Sequence, residues 1–247
     1  MSSHFEGRSV KDHLKEARLR GSIASAEIHG IEMSGSIAAG ADSAKEVTLL
    51  LLIVVLSLSA LLPPEKLFIY PCLMSGGWIL WKTARSALLG WSRIERLHRL
   101  IEEERWEIEH HRGQEKQELK EMYAVKGFEG KLLDEVVEVL MADDNRLLRV
   151  MIEEELGLSL EAYEHPLKQA WGSFLGAVGS AFLCLVGLWL FSIWGLVAAG
   201  VVCIATACTL SARLERNRIW NLLIWHFATL LLVLGTLHFL IPLVLRF

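Results

Sequence analysis

Apolar residues fall in five blocks, two near the start of the chain and three near its end, with one long polar stretch between. The first block covers residues 42–62 and stops at Pro63-Pro64. The second begins near Leu67 and is strongly apolar to Trp81. Lys82 and Arg85 follow, and a helical pattern without proline runs on past Trp91. That pattern predicts a helix which spans a membrane and projects beyond it. The remaining blocks are residues 170–194, 195–212 and 219–245. From Gln169 to Ala212 there are 44 residues without Asp, Glu, Lys or Arg. As one helix they would be ~66 Å long, about twice the hydrocarbon thickness of a bilayer. The run therefore predicts two spans folded back on each other.

In the polar stretch, apolar residues recur at helical spacing: Leu132, Val136, Val139 and Leu140, then Leu147, Val150 and Met151. Gly113, residues 127–130 and Asp143-Asp144-Asn145 break the pattern. Three helices are expected, at residues 92–111, 114–125 and 130–155, the last bent or split near Asp143. No strand pattern or internal repeat is present. The expected fold is all-α: five transmembrane spans with a three-helix insert between spans two and three. It divides into an N-terminal segment (1–41), spans one and two (42–91), the insert (92–165) and spans three to five (166–247).

Charge orients these elements. Arg8, Lys11, Lys15, Arg18 and Arg20 precede span one, and Arg213, Arg216 and Arg218 join spans four and five. The loop after span one has only Lys66, the turn between spans three and four has no basic residue, and the tail has only Arg246. Lys and Arg collect on the cytoplasmic side. The N-terminus and the insert are therefore expected in the cytoplasm and the C-terminus outside it, in a plasma or vacuolar membrane. Hydrophobic residues make up 53% of the 247 and mean hydropathy is +0.37. Together with the segregation of charge, this excludes an ordinary soluble enzyme and a disordered chain. Cys72, Cys184, Cys203 and Cys208 lie in apolar segments without a Cys-x-x-Cys pair, which excludes a disulfide scaffold. No signal-peptide pattern, phosphate-binding glycine loop, nucleophile elbow or His-Glu-x-x-His motif occurs, and no basic stripe suggests nucleic acid. The chain reads as not an enzyme.

Residues 93–164 hold 20 of the 29 acidic residues and 11 Lys or Arg, a net charge of −9. Glu104 and Glu107 share one helix face, as do Glu115 and Glu118 on the next helix. Two such helices packed antiparallel bring four carboxylates to one point, which is costly without a cation. Facing Glu pairs are how helical bundles build transition-metal sites. Met151 and Glu155 form a further i, i+4 pair, and a thioether suits a borderline transition ion better than magnesium or calcium. Taken alone, each Glu pair also fits a solvated helix face and Met151 a core position. His110-His111 adds donors, although adjacent residues point ~100° apart on a helix. In span one, Asp42 and Glu46 either serve an ion path or mark the headgroup boundary. Lys82 and Arg85 are expected to snorkel to the inner interface rather than to act as charge partners. His226 and His238 read as packing residues, and Trp171, Trp189, Trp194, Trp220 and Trp225 as an interfacial belt. Gly172-x-x-x-Gly176 permits close helix contact or dimerisation.

The insert resembles that of the vacuolar iron transporter family. The stretches that carry the resemblance are Glu104-Arg-Trp-Glu107, Glu115-Lys-Gln-Glu118 with Tyr123 and Gly127, and Val150-Met151-Ile-Glu-Glu-Glu155-Leu-Gly157. His165-Pro166-Leu-Lys-Gln-Ala-Trp-Gly-Ser173 and Thr209-Leu-Ser-Ala-Arg-Leu214 are similar to the family's approach to span three and exit from span four. The resemblance covers about residues 92–245. It implies a homodimeric, proton-coupled exporter of iron(II) or manganese(II), without a resident cofactor, zinc being a surrogate for the cargo. Its metal ligands would be Glu104, Glu107, Glu115, Glu118, Met151 and Glu155, with a second family Met replaced by Ile152. The path would use Asp42 and Glu46, where the family carries Asp-Gly. The family's Ser-Met pair and Gly-x-Tyr in span two have no counterpart within residues 78–88. The alternative is a membrane-anchored metal-binding or sensing protein that moves no ion. Glu27, His29, Glu32 and Met33 are further candidate ligands near the start of the chain.

Overall fold

A computed structural model describes residues 12, 14–19, 35–63, 66–158 and 164–244. Glu27, His29, Glu32 and Met33 lie outside the described residues. The chain separates into two compact units. Among the described residues, one holds 12–19 and 91–158, the other 35–90 and 164–244. All regular structure described is helical.

The second unit is built around α1 (Ser36–Ser59). Its first turn starts at Gly35, and the Glu164 carboxylate accepts the Ser36 N–H at 2.8 Å, standing in for a side-chain cap. The helix runs into its apolar half at Val47 and ends before Pro63. α2 (Ile69–His110) is one unbroken helix of 42 residues. Its part up to Gly90 belongs to this unit and the rest to the other.

α6 (Pro166–Leu214) starts with Pro166 at its first position and His165 accepting the Leu167 N–H. It bends back at Phe191 and at Ser192, whose φ is 57° and ψ −147°. The charge-free run therefore folds into two limbs, with the reversal three residues before the expected boundary. Glycine lets the limbs meet: a Cβ on Gly195 would lie 2.0 Å from the Gly187 carbonyl oxygen. α1 packs on α6 in the same way, because a Cβ on Gly172 would lie 1.9 Å from Ser36 O, and one on Gly176 2.0 Å from Gly40 O. Gly172-x-x-x-Gly176 is thus used for contact within the chain. Val47, Leu51, Val55, Ala177, Cys184, Leu196, Ile204 and Cys208 form the core between these helices. The four cysteines are free, and three are buried.

α7 (Ile219–Val244) turns a large apolar surface outward, including Trp220, Trp225, Leu231, Leu232 and Phe239. By length and composition, α6 and α7 are each able to cross a membrane. α1 and the start of α2 carry Asp42, Lys45, Glu46, Lys82 and Arg85 within their apolar stretches, which shortens the uncharged run of each.

The other unit contains the end of α2, then α3 (Arg112–Val125), α4 (Gly130–Met141), α5 (Asp144–Val150) and a π-helical turn, Met151–Glu155. The expected third helix of the insert is therefore divided in three. Asp143 caps α5 by accepting the Arg146 N–H at 2.7 Å. The wide turn appears in the Leu156 N–H, which reaches back five residues to Met151 O at 3.2 Å. Arg112 donates to Asp144 Oδ1 at 2.5 Å and Met141 O at 2.6 Å, and Lys120 pairs with Asp134 at 2.6 Å. These bonds tie α3 to α4 and α5. Leu97, Ile108, Leu119, Met122, Val137, Leu147, Met151 and Ile152 form the core, which Ala17 also joins.

Candidate metal centre

Three local patterns converge inside this unit. Glu104 and Glu107 sit one turn apart on α2. The chain reverses at His111, whose carbonyl accepts the Gln114 and Glu115 N–H groups at 2.7 and 3.2 Å. That reversal sets Glu115 and Glu118 of α3 beside the first pair. The π-helical turn adds Glu155, with Met151 and Ile152 buried on the same turn. Oxygens of Glu104, Glu107 and Glu115 lie within 4.8 Å of one another, and so do those of Glu115, Glu118 and Glu155. Glu115 belongs to both triads. It and Glu118 are wholly buried, Glu104 and Glu155 nearly so, and Glu107 is half-buried. Neither carboxylate oxygen of Glu115 has a hydrogen-bond partner, nor does Oε1 of Glu104.

Burial of this kind raises carboxyl pKa values. Glu115 is pushed from 4.5 to about 8, by burial first and then by Glu155 and Glu107. Glu118 is pushed to about 10, by burial and then by Glu155, Glu115 and Glu107. Glu104 is held well above the ordinary value by burial, with Glu155 the strongest of its acidic neighbours. At neutral pH without metal, these groups hold protons in the place of a cation.

Met151 is wholly buried within the unit's core beside Ile152. His110 lies outside both triads: its ring stacks on Trp106 at 4.5 Å, and its Nδ1 donates to Trp106 O at 2.9 Å.

Asp42 and Glu46 belong to neither acidic triad. Asp42 pairs with Lys45 at 2.6 Å, one turn along α1. Glu46 accepts from Lys82 of α2 at 2.7 Å. The expectation that Lys82 snorkels fails here. Its side chain is only 2% exposed, because a carboxylate across the helix pair gives the ammonium a nearer partner than the interface does. The periodicity of one helix cannot show a pair formed across two. Opposite charges in two neighbouring apolar blocks were the available signal.

Site and fold together give an all-helical protein with two helices long and apolar enough to cross a membrane and a buried cluster of carboxylates that could hold a metal ion. The family model of the VIT family matches residues 76–238, and the chain belongs to that family. Members of this family are membrane proteins that transport divalent metals. Among curated proteins, none matches the chain.

Proposed function

We propose that the chain moves iron(II) or manganese(II) out of the cytosol in exchange for protons, with the acidic insert as the capture site. In this reading five spans cross the bilayer: α1, the first half of α2, the two limbs of α6, and α7. The N-terminus and the insert are cytoplasmic, the C-terminus lies on the far side, and two copies assemble as a homodimer. Glu104, Glu107, Glu115, Glu118 and Glu155 supply oxygen ligands and Met151 a thioether, a set suited to a borderline divalent ion. The ion passes on to Asp42 and Glu46 in the membrane.

The observation that carries this reading is Glu115, a wholly buried carboxyl group shared by two acidic triads and lacking a hydrogen-bond partner on either oxygen. Buried polar groups are normally satisfied, and such a cluster is stable only when protons or cations fill it. Protons and metal then compete for the same oxygens, which provides the chemistry of exchange.

Equilibrium binding of manganese(II) to the purified full chain tests this. Glu115→Gln with Glu118→Gln is expected to weaken binding by at least ~10-fold, the low end of what altering even the outer shell of a metal site costs. Glu135→Gln with Glu138→Gln, on the exposed face of α4, is expected to leave binding unchanged. Equal binding by all three proteins would remove the insert from the mechanism.

A second reading rests on the lysines. Each acid of the path already holds an ammonium group, Lys45 on Asp42 and Lys82 on Glu46. A membrane-anchored metal-binding or sensing protein would keep them so and move no ion. Flux separates the two readings, since a sensor binds metal through the same glutamates and transports none.

A further inference from the structure

Lys82 is a charged group almost completely removed from solvent inside an apolar helix bundle. Intramembrane charges are costly and mark ion pathways more often than scaffolding, and apolar residues of similar volume would fill such a place at no loss of stability. The partner is asymmetric. Lys82 is sealed in, whereas Glu46 remains 42% exposed and lines a cavity of about 150 Å³. That cavity lies between α1, α6 and α7, and Lys45, Ile204, His226, Thr229 and Val233 also line it.

The cavity's polar groups are ones a transition ion accepts. His226 Nδ1 lies 2.9 Å from Leu222 O. A carbonyl only accepts, so Nδ1 carries a proton, and Nε2 is the ring nitrogen left to meet an ion. The Thr229 hydroxyl donates back along its own helix, to Trp225 O at 3.0 Å or His226 O at 2.9 Å, which leaves its oxygen able to accept. Carboxylate, imidazole and hydroxyl together favour a borderline divalent ion over an alkali ion. Lys45, which also lines the cavity, is held by Asp42 at 2.6 Å.

We propose that Lys82 is a tethered cation that competes with the transported ion for Glu46. Its ammonium holds the carboxylate until a divalent ion in the Glu46–His226–Thr229 cavity displaces it. This rests on the transport reading and deepens it. A monovalent ion offers Glu46 no more charge than Lys82 already does, so the tether selects for divalent cargo and closes the path when none is present. The same pair that favours a silent sensor becomes, in this account, a gate.

The test is manganese(II) binding to full-length protein whose insert is silenced by E104Q, E115Q and E118Q. Within that background Lys82→Met and Lys82→Gln are compared with Lys82→Arg, two neutral variants guarding against a folding defect in either. Removing the tether is expected to tighten the apparent Kd about tenfold, the factor for a competitor that holds the site roughly nine tenths of the time. Lys82→Arg keeps the charge and is expected to stay within about twofold of its parent on the same arithmetic. Adding Glu46→Gln to Lys82→Met is expected to abolish the gain. The proposal is overturned if neither neutral variant binds more tightly, or if the gain survives Glu46→Gln. Flux through the same variants, with the insert restored, is read separately. Tightened binding with no flux in any variant sinks the transport reading and leaves the tether standing. Flux in the parent with unchanged binding in the Lys82 variants does the reverse.

Discussion

At the scale of single residues, the buried carboxyls of the insert link metal, protons and stability. The folded pKa values of Glu104, Glu115 and Glu118 lie above those of the unfolded chain. Between pH 4.5 and about 10, the folded state therefore holds protons that the unfolded chain has released. Stability of the metal-free protein falls as pH rises through that window and is highest at its acid end. In the proposed function, a divalent ion bound there would replace those protons and reverse the slope. Thermal unfolding in chelator is expected to show a Tm that drops from pH 5 to pH 9, and excess manganese(II) is expected to raise Tm more at pH 9 than at pH 5. A metal-free Tm that rises over this range would contradict the assignment. The pairs Glu104–Glu107 and Glu115–Glu118 were legible because each sits within one α-helix, where a period of 3.6 residues decides which side chains share a face, whereas Met151 and Glu155 share a π-helical turn. Lys82 was not legible, because its partner lies 36 positions away on another helix.

At the scale of elements, the membrane unit is held by glycine contacts whose tolerance differs from site to site. Gly176 faces the Gly40 carbonyl of α1, whereas Gly179, one turn further along α6, has nothing within 4 Å of an added Cβ. Gly176→Ala is expected to cost on the order of 1–3 kcal/mol through overpacking. Gly179→Ala is expected to be neutral or mildly stabilising, as alanine is the better helix former. Thermal unfolding in detergent checks both, and equal effects would show that α1 does not pack on α6 through this face. The fold-back of α6 was legible from the length of its uncharged run. Its exact place was not, since Phe191 and Ser192 carry no turn signature and the nearby glycines serve the contact between limbs rather than the bend. The break near Asp143 was legible from the turn-favouring run Asp143-Asp144-Asn145, although its role as the cap of α5 was not. The π-helical turn was not, because it depends on which backbone carbonyl each N–H reaches and leaves no mark on the spacing of apolar residues.

At the scale of the whole molecule, the two units differ in character. One concentrates acid around Glu115. The other presents apolar helices, with α7 exposing tryptophan and leucine faces that a bilayer would cover. The VIT family model matches residues of both units, and members of that family transport divalent metals. In the proposed function the path runs past Asp42 and Glu46, each held by a lysine. The most direct measurement is iron(II) flux into proteoliposomes containing the purified protein, with and without an imposed pH gradient. Flux above that of empty liposomes is expected, driven by the gradient and lost when Asp42→Ala and Glu46→Ala are combined. A preparation that binds iron(II) but moves none under either condition would contradict the transport reading.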